Sequence, residues 1–220
     1  MAFLRIWLLA ALCAGLWLLA CYGQYRPAPV SADAPAQAFS AVRASAVLGR
    51  VLGAQKPHPA GSAENSAVRG RLLEVLAGMG VRARTQTAMS CYGEARWHAV
   101  SCGTVSNVIA QVTPGTGDPV LLMAHLDSVA AGPGACDDGC GVAALLETIR
   151  ALKAAGFAGA HPVAALFTDG EEDGLLGAAA FLRDGAPRPM AVINVEARGN
   201  QGPSYLFQTS AGDAPLIDLY

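Results

Sequence analysis

The sequence predicts an α/β fold, with a mostly parallel, mixed β-sheet flanked by helices. Apolar runs of strand length alternate with segments whose apolar residues have helical spacing. The run Val163–Phe167 is continuously apolar, as expected of a strand that is covered on both faces. Polar clusters follow directly on several of these runs, and open α/β sheets bind their ligands at such strand ends.

The composition indicates a folded protein with an unusually apolar content. Of the 220 residues, 53% are hydrophobic and 15% are charged, and the net charge is −2. These values exclude disorder for most of the chain. The near balance of 15 basic and 17 acidic residues argues against a nucleic-acid partner.

The first element, residues 1–25, is predicted to be a membrane segment. No charge interrupts Ile6–Ala20, and the apolar stretch approaches the ~20 residues that cross a bilayer. Three interpretations are open: an uncleaved signal-anchor, a cleaved secretory signal, and a lipoprotein signal, since Leu18–Cys21 has the order of a lipobox. We favour the signal-anchor, because a Pro/Ala-rich linker suited to a tether follows at residues 26–37. All three place the rest of the chain outside the cytoplasm, in the periplasm, the extracellular space or an organelle lumen.

The other elements follow in order along residues 38–220. Helical spacing of apolar residues predicts helices at Phe39–Leu52, Ser62–Met79, Gly141–Ala155 and Leu175–Arg183. Short apolar runs predict strands at Val81–Ala88, Asn107–Val112, Val120–Ala124, His161–Thr168, Met190–Val195 and Tyr205–Gln208. We expect Asn107–Val112 and Val120–Ala124 to be neighbours, because a turn rich in Pro and Gly joins them.

Four cysteines lie in the predicted exported part, which permits two disulfide bonds in an oxidising compartment. We expect Cys91 and Cys102 to pair. The segment between them has no obvious core pattern, and a bridge would restrict its freedom in the unfolded chain. Cys136 and Cys140 are expected either to form a short bridge or to remain free thiols.

Two polar clusters follow the strand Val120–Ala124. His125 and Asp127 are two residues apart, so their side chains share a face of an extended chain. A carboxylate is a common partner of an imidazole that binds a metal. Asp137 and Asp138 stand in a Gly-rich loop before a helix, where they can cap the helix or offer a carboxylate to a metal.

Two further acidic positions follow later strands. Glu171 and Glu172 lie in Asp-Gly-Glu-Glu-Asp, where four acids in five residues repel one another unless a cation is present. One of the two Glu residues can bind a metal while its neighbour acts as a base. Glu196 follows the predicted strand Met190–Val195. Imidazole and carboxylates at successive strand ends are together suitable ligands for zinc.

The ordered set of these motifs resembles the zinc-dependent exopeptidases of the aminopeptidase S/aminopeptidase Y family. The motifs are HLDS (125–128), GACDDGCG (134–141), GEEDGLLG (170–177) and INVEARG (193–199). The resemblance is closest to the membrane-bound branch related to the endoplasmic-reticulum metallopeptidases, and it runs from Lys56 to the C-terminus. It implies a zinc-exopeptidase, phosphorylase/hydrolase-like domain over residues 38–220, and a metallopeptidase that cleaves peptide bonds near a chain terminus.

The resemblance also implies a centre of two Zn²⁺ ions. His125 would bind the first ion and Asp137 would bridge both. Glu172 would bind the second ion, and Glu196 would complete the ligands of the first. The final His ligand of the second ion is expected beyond Tyr220. The sequence is therefore expected to be the N-terminal part of a longer enzyme and to be inactive alone.

The same resemblance implies the roles of the remaining site residues. Glu171 would be the general base that activates the attacking water, and Asp127 would orient His125. The peptide bond between Asp137 and Asp138 is expected to be cis. His58, His98 and His161 are expected to be structural.

Two other functions stay open. One is a glutaminyl-cyclase-like transferase with a single zinc, and the other is a non-catalytic ectodomain. The complete set of His125, Asp137, Glu172 and Glu196 favours the peptidase. The expected partners are a peptide substrate and the membrane, while the sequence leaves peptide specificity and oligomeric state open.

Overall fold

A long apolar helix opens the chain. The computed structural model describes residues 2–23, 27–94, 99–183, 188–197, 199 and 202–218. These divide into one unit formed by residues 1–28 with 199–220, and a second unit formed by residues 29–198. In the first unit, helix α1 covers Ala2–Gly23. Within the described residues, its span Phe3–Gly23, with a mean hydropathy of 2.0, is the one helix long and apolar enough to cross a membrane, a test that signal sequences also pass.

The second unit contains the predicted α/β domain. Its helices are α2 (Ala41–Leu52), α3 (Ala63–Gly78), α4 (Gly139–Ala154) and α5 (Leu176–Arg183). Its strands are β1 (Arg82–Glu94), β2 (Ala99–Gln111), β3 (Val120–His125), β4 (Val163–Thr168) and β5 (Ala191–Asn194). The helix starts follow the sequence chemistry, because the hydroxyls of Ser40 and Ser62 accept hydrogen bonds from backbone N–H groups in the first turns of α2 and α3.

The five strands form one mixed sheet in the order β1-β2-β4-β3-β5. The pairs β1–β2 and β2–β4 are antiparallel, while β3–β4 and β3–β5 are parallel. The predicted α/β fold with a mixed sheet and flanking helices is confirmed. The antiparallel share is larger than the sequence suggested, because β1 and β2 pair as a 13-residue ribbon.

Alternate residues of the strands serve two apolar layers. One face of the sheet packs on α2, α3 and α4 through Val108, Ala110, Leu122, Ala124, Ala165 and Phe167. The other face packs on Phe181 of α5 through Leu121 and Leu166. The central strands are therefore covered on both sides, as the continuous apolar run in β4 predicted.

Two sequence predictions about strands were wrong. The strands β2 and β3 are not neighbours, because β4 lies between them and pairs with both. The chain between β3 and β4 forms α4, and this crossover places β4 parallel to β3. Strand β4 therefore occupies the position beside β3 that the sequence had suggested for β2. The second error is Tyr205–Gln208, which has no regular structure; the short helix α6 (Ala214–Ile217) follows it.

The β1–β2 ribbon carries the predicted disulfide bond. Cys91 and Cys102 stand directly opposite each other in the antiparallel register and are bonded. The pairing is confirmed, although the reason differs in part from the one given above. The flanking residues on both sides of the bond belong to paired strands rather than to a loop.

Two arginines fasten the Pro/Ala-rich segment before α2 to the domain. The guanidinium of Arg43 donates to the carbonyl oxygens of residues 32, 34, 35 and 38, and that of Arg150 donates to those of residues 36 and 38. Both arginines also bind the carboxylate of Glu147, a buried residue of α4. We call this cluster of Arg43, Glu147 and Arg150 the arginine clamp.

Candidate metal centre

Three parallel strands end at the same edge of the sheet. His125 is the last residue of β3, Thr168 ends β4 and Asn194 ends β5. Since β4 and β5 both run parallel to β3, the residues that follow each strand meet there. The structure thus brings the predicted acidic clusters together around His125.

The buried ring of His125 is the centre of this cluster. Its Nδ1 lies 3.1 Å from the backbone oxygen of Asp127. Its Nε2 lies 3.0 Å from Oδ1 of Asp137 and 3.7 Å from Oε1 of Glu196. The side chain of His125 is 2% exposed, whereas those of Asp137 and Glu196 are 61% and 41% exposed. Nε2 therefore faces the open side of the site, where the carboxylates are.

The two neighbouring aspartates have different contacts. Asp137 faces the His125 ring, whereas Asp138 is buried and caps α4 by accepting a hydrogen bond from Gly141 N–H at 3.1 Å. The other oxygen of Asp138 accepts from the backbone N–H of His125 at 3.2 Å. Asp138 thus caps the helix, whereas Asp137 presents its carboxylate to the site. The peptide bond between them is cis, as expected.

Asp127 connects His125 to the two glutamates. Its carboxylate is buried, and its two oxygens accept hydrogen bonds from the backbone N–H groups of Glu171 at 3.0 Å and Glu172 at 3.2 Å. Oδ1 of Asp127 is 3.5 Å from Nδ1 of His125. The shorter contact to the ring comes from the Asp127 backbone oxygen, so this residue touches the imidazole mainly through its main chain.

Two overlapping groups of side chains have the geometry to hold a metal ion. His125, Asp137 and Glu172 form the first group, and His125, Asp138 and Glu196 form the second; in each, one candidate donor atom per residue lies within 4.8 Å of the others. Among the described residues both groups depend on the same imidazole. Asp138 takes the place in the second group that the resemblance gave to Asp137.

The electrostatics of the site favour a positive charge at the ring. Burial alone would lower the pKa of His125, but the nearby carboxylates of Asp127 and Glu196, at 3.5 and 3.7 Å, outweigh it and raise the pKa to about 11. Burial likewise tends to raise the pKa values of Asp127 and Glu196, yet their contacts with His125 bring both below the ordinary range. A proton on the His125 ring compensates the negative charge of the nearby carboxylates, and a bound cation could compensate the same charge.

The pKa values of the other acids of the site are raised. Burial is the main reason that the pKa of Asp138 rises to about 8. Burial also raises the pKa of Glu171, with Glu196 adding to the effect, and that of Glu172, with Asp137 adding to it. One imidazole surrounded by converging carboxylates is a donor set that fits a divalent cation such as zinc.

A small cavity of about 120 Å³ opens beside these residues. Its polar wall includes His125, Glu171 and Glu196, and its apolar wall includes Met123 and Leu175. A peptide group in this cavity would be bordered by His125, Glu171 and Glu196.

The histidines outside the cluster have local partners. Nδ1 of the buried His58 contacts the backbone oxygen of Lys56 at 3.0 Å, and Nδ1 of His161 contacts that of Asp118 at 3.0 Å. His98 lies outside the described residues. Cys136 and Cys140 are not bonded to each other, and the Cys140 thiol donates to the Cys136 backbone oxygen at 2.7 Å.

Sequence reasoning gave no role to several buried polar residues behind the glutamates. Asp169 accepts hydrogen bonds from Asn65 Nδ2 at 2.9 Å and from the backbone N–H of Ser106 at 2.7 Å. Asn107 accepts from the backbone N–H of Asp169 at 3.0 Å. The signal available in the sequence was a single Asn at the start of an otherwise apolar strand, which does not identify its partners.

Comparison with known sequences identifies relatives over the part of the chain that forms this cluster. The profile of peptidase family M28 matches residues 107–220. The vacuolar membrane protease of Verticillium alfalfae is 41% identical over 92 residues, which are 41% of this chain and 9% of that protein. Endoplasmic reticulum metallopeptidase 1 of Homo sapiens is 35% identical over 120 residues, which are 53% of this chain and 13% of that protein. The matched segments span about a tenth of these relatives.

Solved structures show the same fold. The glutaminyl cyclase of Porphyromonas gingivalis has a TM-score of 0.59 at 26% identity, covering 73% of this chain and 62% of that one. BSAP, a zinc aminopeptidase from Bacillus subtilis, has a TM-score of 0.61 at 14% identity, covering 74% and 70%. The sheet and helices described above are therefore similar to those of zinc exopeptidases.

Proposed function

Because the chain belongs to peptidase family M28, we propose that it is a membrane-anchored zinc metallopeptidase that hydrolyses peptide bonds near a chain terminus, as an aminopeptidase does. The observation that carries this proposal is the convergence of His125, Asp137, Glu172 and Glu196 at one edge of the sheet, next to Glu171. The relatives named vacuolar membrane protease and endoplasmic reticulum metallopeptidase 1 support the same proposal.

The chain's own side chains supply the ligands in this proposal. His125, Asp137, Glu172 and Glu196 would hold the zinc, and two Zn²⁺ ions are the proposed content of the centre. When bound, zinc polarises the scissile carbonyl and balances the negative charge that develops on its oxygen. The contact of Nδ1 with the Asp127 carbonyl leaves Nε2 of His125 as the nitrogen that faces the ligand position.

Glu171 moves the proton in the proposed reaction. Its carboxylate takes a proton from the attacking water and gives it to the leaving amine nitrogen. Its backbone N–H is held by Asp127, and its side chain lines the cavity beside His125. Asp127 thus positions the base and the imidazole at once.

The proposed location of the catalytic domain is outside the cytoplasm. In this proposal residues 1–25 anchor the chain through α1, and the peptidase domain follows as part of the unit that begins at Pro29. The Cys91–Cys102 bond supports an oxidising compartment. Sedimentation with membranes after alkaline carbonate washing tests the anchor, and recovery of the chain in the soluble fraction contradicts it.

A glutaminyl-cyclase-like transferase is the second candidate. The 26% identity to the Porphyromonas gingivalis enzyme favours it, and both candidates use the same fold. Two observations separate them: the zinc content of the purified protein, and the product formed from a peptide with N-terminal glutamine. Cyclisation without hydrolysis, with one zinc bound, supports the cyclase.

The deciding experiment compares Glu171→Gln with Asp173→Asn in the complete polypeptide. Peptides with a free and with an acetylated N-terminus are the substrates. Glu171→Gln is expected to lower kcat by about 10²–10⁴-fold with zinc content unchanged, since general-base catalysis contributes this much. The control Asp173→Asn changes an exposed acid of the same turn and is expected to keep activity.

Two results would contradict the proposal. Near-normal kcat in Glu171→Gln removes that residue as the base. A wild-type protein that binds zinc but neither hydrolyses nor cyclises any of these peptides indicates a non-catalytic ectodomain instead.

A further inference from the structure

Asn107 joins the two ends of the loop that carries the glutamates. This residue lies in β2, is fully buried, and has a side chain directed at the segment 169–177. We call that segment the glutamate loop, because it contains Glu171 and Glu172.

The side chain of Asn107 binds the loop at its beginning and at its end. Its Oδ1 accepts a hydrogen bond from the backbone N–H of Asp169 at 3.0 Å. Its Nδ2 donates to the backbone oxygen of Gly177 at 2.8 Å and to Oε1 of Gln86 at 3.0 Å. A Cβ at position 177 would collide with Asn107 Oδ1 and with the Asp169 backbone oxygen, so the three groups are in close contact.

The loop between these ends has an unfavourable backbone conformation. Gly170, Gly174 and Leu175 all have positive φ angles, of 70°, 103° and 60°. Glycine adopts such angles readily, but a leucine in this region is uncommon and costs free energy. Hydrogen bonds from Gly174 and Leu175 N–H to the Glu171 carbonyl keep the turn closed from inside. A conformation of this kind persists only when the surrounding structure fixes it.

The loop is fixed from two opposite directions. Asp127 holds the backbone N–H groups of Glu171 and Glu172 from the side of His125. Asn107 holds the loop ends from β2, on the other side. Asn65 and Ser106 also bind the side chain of Asp169 at the first end. Loss of Asn107 would leave these and the inner contacts in place, but it would remove the side chain that binds the backbone at both ends of the loop.

We propose that Asn107 is a positioning residue that holds Glu171 and Glu172 at the metal edge of the sheet by closing the glutamate loop at both ends. The roles of the two glutamates in this proposal rest on the proposed function, whereas the closure of the loop does not. Asn107 touches neither substrate nor metal, and it acts through the backbone of the loop.

The test compares Asn107→Ala with Val108→Ala in the full chain. Val108 is the next residue of β2, is equally buried and belongs to the core on the opposite face, so its truncation lowers stability without releasing the loop. Zn²⁺ binding is measured by calorimetry, and amide hydrogen exchange is measured over residues 169–177. Asn107→Ala is expected to weaken zinc binding by about tenfold or more, the range found for residues that orient metal ligands. It is also expected to speed amide exchange in the loop. Val108→Ala is expected to change neither zinc binding nor loop exchange, even where it lowers the Tm by the same amount.

A double-variant cycle with Glu172→Gln separates positioning from general destabilisation. If Asn107 acts through Glu172, zinc affinity in the double variant is little lower than in the variant that carries only Glu172→Gln. In a hydrolytically active protein, Asn107→Ala is further expected to lower kcat with little change in KM. Asn107→Ser, whose hydroxyl is too short to reach both loop ends, replaces Asn107→Ala if the latter does not fold.

The outcomes distinguish this inference from the proposed function. Additive losses in the cycle, or unchanged loop exchange in a folded Asn107 variant, overturn the positioning role. A wild-type protein without hydrolytic activity overturns the proposed peptidase, while the zinc and exchange results still test Asn107.

Discussion

His125 is the residue on which both candidate metal groups depend. Its Nδ1 faces the carbonyl of Asp127, so Nε2 is the ring nitrogen available to Asp137 and Glu196. A histidine binds a metal through its neutral imidazole. Because the pKa of His125 is raised to about 11, zinc has to displace a proton from the ring. Zinc binding should therefore release protons and weaken as the pH falls.

The shared imidazole predicts unequal zinc sites in this chain. The first Zn²⁺ is expected to bind appreciably more tightly than the second, since only one of them can take Nε2 of His125. His125→Ala is expected to weaken the tight site by more than the roughly 10–100-fold that loss of an indirect partner costs. Calorimetric titration measures both constants. His161→Ala is the control, because the His161 ring contacts the backbone oxygen of Asp118 just before the start of β4, whereas the carboxylates follow the strand ends.

Two equally tight sites would contradict this expectation. They would mean that a side chain outside the two groups supplies a further nitrogen. Retention of the tight site in His125→Ala would show that the carboxylates bind zinc without the imidazole.

The site residues that directly follow a strand could be predicted from the sequence. His125, Asp127, Glu171, Glu172 and Glu196 each follow an apolar run, and parallel strands bring such positions together. The division of labour between the adjacent aspartates was not predictable, because either can cap a helix. Asn107 was missed because hydrogen bonds to distant backbone groups leave no pattern in the sequence.

At the scale of elements, the helices were predicted more accurately than the order of the strands. Serine caps and apolar spacing are local signals, and α2 and α3 begin where those signals occur. Strand order depends on which edges meet after the chain has crossed the sheet. The connection of eight residues (112–119) between β2 and β3 suggested adjacency, yet β4 lies between them.

Helix α4 carries a buried carboxylate whose charge should make stability depend on pH. Burial would raise the pKa of Glu147, but hydrogen bonds from Arg150, Arg43 and the backbone N–H of Ser40 hold it below its ordinary value of 4.5. A group whose pKa is lower in the folded state stabilises the fold above its unfolded pKa. That contribution is lost as the pH falls through the folded pKa.

Glu147→Gln is therefore expected to lower the free energy of unfolding at pH 7 by about 1.5–3 kcal/mol, the range for hydrogen bonds to charged groups. The difference from wild type should shrink as the pH drops below about 4.5. Urea unfolding at several pH values measures it, with the exposed Glu74→Gln of α3 as control. An undiminished difference at acid pH would contradict the assignment.

For the molecule as a whole, the Pro/Ala-rich segment was predicted to be an extended tether, and its second half is instead hydrogen-bonded to the domain. Five backbone oxygens between residues 32 and 38 accept hydrogen bonds from the arginine clamp. Composition predicts the absence of a core in such a segment, but it does not show that arginines elsewhere will bind its carbonyl groups. The unit that contains the α/β domain accordingly begins at Pro29.

Two deletions test where the ordered unit begins. Removal of residues 1–28 is expected to leave the arginine clamp intact, whereas removal of residues 1–38 leaves Arg43 and Arg150 without their carbonyl partners. The larger deletion should lower the free energy of unfolding by about 2 kcal/mol, since each such bond contributes modestly. Its Tm should be about 4–8 °C lower than that of the smaller deletion. Equal Tm values would mean that the clamp adds no stability.

The arginine clamp also determines the path of mechanical force through the domain. A pull on residue 29 is expected to load several guanidinium–carbonyl bonds, which connect this segment to α2 through Arg43 and to α4 through Arg150. Helix α4 begins directly after Asp137 and Asp138, so the far end of this path is the loop that faces His125. We therefore expect tension on this segment to reach, through α4, the loop that carries Asp137 and Asp138.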